Sequence, residues 1–163
     1  FPRKDVPMPQ RLPTLAAAAL AALPLAALAE NGVLTVESAH PAAATLERLE
    51  TAIEARGFTV FATLDHAAAA EAADLSMPFS TVVVFGNPAL GTPAFLQTPE
   101  LAIDLPLKAL VWADGEGGAF ISYNSAAYMF ETIYERHGQP YPEPMIERVG
   151  ATLAEMAGDA AGE

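Results

Sequence analysis

The chain has 163 residues, a length that suits one domain, and carries 20 acidic against 8 basic residues for a formal charge of −12. Such a surface repels phosphate backbones and anionic membranes, which argues against nucleic-acid binding. With no cysteine there is no disulfide, no thiolate nucleophile and no cysteine-held zinc or iron–sulfur centre.

Residues 1–29 differ in character from the rest. Arg3, Lys4 and Arg11 make a basic start, and the stretch from position 12 to 29 is uncharged. It ends with Ala27 and Ala29 at the two small-residue positions a signal peptidase needs, and Glu30-Asn31-Gly32 follows as a polar start. This pattern predicts a cleaved secretory signal and a periplasmic or secreted destination. The rival reading is a retained anchor. A stretch rich in alanine and interrupted by Pro13 and Pro24 is marginal for a span, so no stable membrane span is expected after cleavage. Residues 1–29 hold three basic residues and one acidic residue, so without them −12 becomes −14.

Residues 33–38 (VLTVES) alternate and are rich in β-branched residues, which predicts a first strand. A helix begins at Pro41, with Leu46, Leu49 and Ile53 at helical spacing, and closes at Gly57. Residues 58–64 form a second strand, and Asp65 caps an alanine-rich helix over residues 67–73. The continuous apolar run 81–85 suits a central strand, ended by Gly86-Asn87-Pro88. Gly91-Thr92-Pro93 opens a short helix. Residues 107–112 and 119–123 are strands joined by a hairpin at 114–118. Ser125 caps a helix running to His137, and a proline-broken segment leads to a last amphipathic helix with Ile146, Val149, Leu153 and Met156 inward. Residues 30–158 make one unit, a two-layer α+β domain whose mainly antiparallel sheet has helices packed on one face. Residues 159–163 are expected to fray.

The phosphate-cradling, dinucleotide, serine-elbow and zinc-protease signatures are absent. His40, His66 and His137 are too scattered to form a metal site by spacing, and each has a plain role near a helix end. Lys108 is the lone lysine after position 29 and sits inside a strand, where a covered face would lower its pKa unless a carboxylate pairs with it. Asp104 and Asp65 are the candidate partners. Asn87 is at once a turn residue and a pocket-lining candidate, and Tyr123 closes a strand with its hydroxyl available. Met129, Phe130, Ile133 and Tyr134, at helical spacing, read as core.

Six pieces in register carry a family resemblance: Gly57-Phe58-Thr59-Val60-Phe61, Asp65-His66-Ala67-Ala68-Ala69, Phe85-Gly86-Asn87-Pro88, Gly91-Thr92-Pro93, Asp104-Leu105-Pro106-Leu107-Lys108 and Ser122-Tyr123-Asn124. The chain resembles the domain of unknown function family 302 from about Thr35 to His137. The resemblance implies a compact α+β domain that often dimerises, with no activity attached. Where family members often carry a basic residue and Met near the Gly-Asn-Pro turn, this chain has Ala89-Leu90 and Leu96-Gln97.

The leading expectation is a small-ligand site where strand ends converge. Lys108 supplies charge, His66 and Asn87 supply directional hydrogen bonds, Asp104 or Asp65 orients Lys108, and Tyr123 completes the set. The alternatives are a hydrolase- or lyase-like enzyme with His66 as general base and Lys108 or Tyr123 stabilising an anion, a haem- or metal-binding homodimer using His66, and a structural or partner-binding domain. The sequence names neither ligand nor cofactor.

Overall fold

The computed structural model describes residues 31–162; the expected signal segment, residues 1–29, lies outside the described residues. The elements in order are β1 (Val33–Ser38), α1 (Ala42–Ala55), β2 (Thr59–Asp65), α2 (His66–Glu71), β3 (Ser80–Gly86), α3 (Pro88–Gln97), a 3-10 turn (Pro99–Ile103), β4 (Leu107–Ala113), β5 (Ala119–Asn124), a π-helical stretch (Tyr128–Tyr134) and α4 (Pro144–Ala161). The strands form one sheet in the order β1-β5-β4-β3-β2, every neighbouring pair antiparallel.

Strand alternation sends one set of side chains to a single face. Ile121, Val111, Val83 and Phe85 belong to the buried core there, and half-buried Val36 packs against it. The helices α1 and α4 cover that face, contributing Leu49, Ile53, Leu153 and Met156 at the spacing the sequence shows. The opposite face carries Lys108, Leu110, Trp112, Phe120 and Ser122; Trp112 stacks on Phe120 at 4.6 Å and donates to Ser122 Oγ at 3.0 Å. The fold is the expected two-layer α+β domain.

Most element ends fall within one or two residues of the sequence expectation, and three features depart further from it. First, α3 begins at Pro88, ahead of Gly91, because the Asn87 side chain accepts from Ala89 N at 3.0 Å and Pro88 presets the first helical turn. Second, the segment after Ser125 winds as a π-helix over seven residues. The Ser125 hydroxyl does cap it, accepting from Tyr128 N at 3.1 Å. Third, residues 159–161 are not frayed. The helix α4 runs to Ala161, with Ala160 and Ala161 buried. Ala39 N donates to Ala161 O at 2.9 Å, and Arg48 donates to the carbonyls of Asp159 and Ala160. Small alanine side chains let this end approach β1 and α1 closely, a packing that composition alone does not announce.

Candidate ligand cleft and the Asp104–His137 pair

One end of the sheet gathers the finish of β3, the start of β4 and the finish of β5. Asp104, Lys108 and Tyr123 border one small cavity there, of about 20 Å³ and thus no larger than a water molecule needs. Asn87 lies beside a larger cleft of about 360 Å³, which shares Leu105, Pro106, Leu107 and Met129 with the small cavity. Four of the six expected site residues therefore meet at this end.

Asp65 and His66 do not join them. Thr59 pairs with Gly86 and Asp65 with Thr81, so the strand carries Asp65 and His66 about 20 Å away at the far end. Asp65 caps α2, accepting from Ala68 N at 2.9 Å, and His66 is an exposed first helical residue. His66 and Lys108 cannot act on one small substrate.

The roles within the cluster also differ from expectation. Lys108 is exposed, and its amine donates to the backbone carbonyls of Asp104 at 3.2 Å and Pro106 at 3.3 Å. Its alternation places it on the uncovered face, so it escapes desolvation. The Asn87 amide is engaged locally, with Ala89 N and with Gly57 O at 3.4 Å. Tyr123 is buried on the core face.

The carboxylate of Asp104 takes a partner the sequence reading assigned only to a helix end. His137 Nε2 lies 2.6 Å from Asp104 Oδ2, and Arg136 approaches the same oxygen at 3.3 Å. The His137 side chain is nearly fully buried. This hydrogen bond holds Asp104 below its ordinary value; desolvation opposes it, and the charges of Arg136, His137 and Lys108 add to the lowering. Nearby, buried Gln139 accepts from Thr98 Oγ1 at 2.7 Å and donates to Gln97 Oε1 at 3.3 Å. These contacts join positions 32 to 42 residues apart, which local sequence pattern does not signal.

The cleft itself has no charged lining residue. Phe58, Phe61, Phe95, Met129, Phe130 and Tyr134 are among its lining residues. Phe130, Tyr134 and Tyr141 form an aromatic cluster with ring centroids 4.9 to 6.1 Å apart. Burial pushes the Tyr134 phenol up, so it is a neutral donor at ordinary pH. Met129 and Phe130 are core, as their spacing predicts, yet each also turns a surface to the cleft. Among the described residues, no three His, Asp or Glu side chains come together as a metal ion requires.

A small antiparallel α+β domain with an apolar cleft at one sheet end is the class that this architecture defines. The model of the domain of unknown function DUF302 matches residues 34–158, and the chain belongs to that family. The fold is similar to that of the uncharacterized conserved protein DUF302 from Bacillus stearothermophilus, a crystal structure matched with a TM-score of 0.61 at 16% identity over 80% of this chain and 96% of that one. The chain is also 37% identical over 106 residues to the fluoride-specific ion channel FluC 1 of Brucella suis biovar 1 (strain 1330), covering 65% of this chain and 42% of that protein. FluC 1 of Brucella abortus biovar 1 (strain 9-941) matches at the same identity and length, over 39% of its own chain. The chain thus spans about two fifths of these curated relatives. Among the described residues, no helix is long and apolar enough to cross a membrane.

Proposed function

We propose that this protein is exported and that its domain binds a small, uncharged, largely apolar ligand in the cleft beside α3. The observation that carries the reading is the cleft's lining: about 360 Å³ walled by aromatic and methionine side chains, with Asn87, Thr92 and Tyr134 as its polar residues. That volume falls within the roughly 300–1,000 Å³ of small-ligand sites, and a few placed polar groups in an apolar wall are their usual composition. An anionic ligand would meet an acidic surface and no cation in the wall, so a neutral one is favoured. Binding of the neutral fluorophore N-phenyl-1-naphthylamine tests this. Wild type should enhance its emission, and Gly91→Leu, which fills the cleft from a helical position facing Phe95, should abolish the enhancement while remaining folded. Equal behaviour of the two proteins counts against the reading.

The printed name of the Brucella relatives describes a channel. Less than half of each is matched, and we read the shared segment as a domain carried alongside the channel rather than as the channel.

A homodimer is also proposed, built on the edge of β2. Almost all of this strand is exposed, with Phe61 at 50% and Leu64 at 51%, and Leu75 and Met77 add apolar surface. An edge that exposes large apolar side chains, with its charge confined to Asp65 at one end, is normally covered, and a second copy in two-fold antiparallel register would cover it.

A further inference from the structure

We propose that α3 is a lid on the cleft, latched by polar ties to residues 136–139, and that these ties set how long a ligand stays. The inference rests on reading the cleft as the ligand site and adds how that site is regulated.

The helix α3 lines the cleft with Leu90, Gly91, Thr92 and Phe95. It has no charged residue and no buried residue, and it packs mainly against the 3-10 turn that follows. Leu90 is 64% exposed and Leu96 80%. A helix apolar on all sides is ordinarily held by burial; this one is not. Its ends are non-helical at Asn87 and Thr98, where the backbone can turn. The 3-10 turn beyond is anchored by fully buried Leu101, so the part free to swing ends at Thr98.

Polar contacts fasten that end. Thr98 donates to Gln139 and Gln139 donates to Gln97, while Asp104, on the anchored side of the 3-10 turn, holds the receiving segment in place through His137 and Arg136. The receiving residues lie two to five positions beyond the π-helical stretch whose Met129, Phe130 and Tyr134 also line the cleft. The Thr98–Gln139–Gln97 contacts therefore join the lid to a segment continuous with other residues of the cleft. Once the lid opens, water replaces hydrogen bonds of this kind, whereas nothing replaces a packed apolar seam.

The test uses the full chain as wild type, Thr98→Val, Asp104→Asn and the double variant. Amide exchange over residues 90–97 and the stopped-flow dissociation rate of N-phenyl-1-naphthylamine should each rise about tenfold in the single variants, within the range of coupling between sites. They should rise further in the double variant, with exchange in α1 unchanged. Unchanged exchange and release in the double variant overturn the proposal, and so does an equal rise in α1, which would mean general loosening. If wild type never takes up the probe while the variants still free residues 90–97, the ligand reading fails and the lid stands.

Discussion

His137 Nε2 and Asp104 Oδ2 lie 2.6 Å apart across 33 positions of chain. One hydrogen bond thus ties the residue that follows the π-helical stretch to the approach of β4. Both walls of the cleft are continuous with it, because Leu105 and Pro106 follow Asp104, and Tyr134 precedes His137 by one turn.

The pH dependence of stability follows from Asp104. Its carboxyl is held below the ordinary value of 3.8. A depressed carboxylate stabilises the folded state above its ordinary pKa, and that contribution is lost as pH falls through the lowered folded value. Wild type should exceed Asp104→Asn in urea midpoint at pH 6, and the gap should close below pH 3.8. A gap constant over the whole range would show that the charge of Asp104 is not what matters.

Asp65→Ala removes the cap of α2 and should cost about 1 kcal/mol. Because this end lies four residues, about 13 Å, along β2 from Phe61 in the cleft wall, fluorophore binding should be unchanged in Asp65→Ala and in His66→Ala. A binding loss in His66→Ala, with fold intact by circular dichroism, would return the imidazole to the site.

Ile53 is fully buried between α1 and the sheet. Ile53→Ala should destabilise the domain by about 2–5 kcal/mol, read from chemical denaturation. A loss below about 1 kcal/mol would mean that the α1 layer repacks freely, contrary to the close packing of such interiors.

Leu64→Lys places a charge on the β2 edge without disturbing the covered face. Light scattering should show wild type as a dimer and the variant as a monomer. Two monomers of equal mass would remove the edge pairing.

Expression with export should yield a product whose mass begins at Glu30, and replacing Ala29 by a bulky residue should leave the longer form. Retention of the full chain in the membrane fraction of wild type would favour the anchor instead.

Much of the fold is legible because it depends on local periodicity. The alternation in residues 33–38, the helical spacing of Leu49 and Ile53, and the turn at 114–118 each declare themselves over a few residues. The Asp65 cap is equally local, and it formed as expected. The site was less legible because its decisive contacts are not local. Nothing near His137 announces Asp104, and nothing near Gln139 announces Thr98. Lys108 drew attention as a rare residue, but rarity says nothing about which sheet face is covered. Met129, Phe130 and Tyr134 have the spacing of core residues, and that spacing is silent about a neighbouring void.

The π-helical stretch has one further consequence. Each of its loops holds one residue more than an ordinary helical turn. Deleting a residue between Tyr128 and Tyr134 would remove the extra one, let the backbone relax to the tighter spiral and re-phase the side chains within the stretch. Met129 and Phe130, inside the stretch, would then change their bearing on the cleft. The hairpin tip at 114–118 is exposed and should accommodate a change of length, whereas here the count of residues is itself part of the binding geometry.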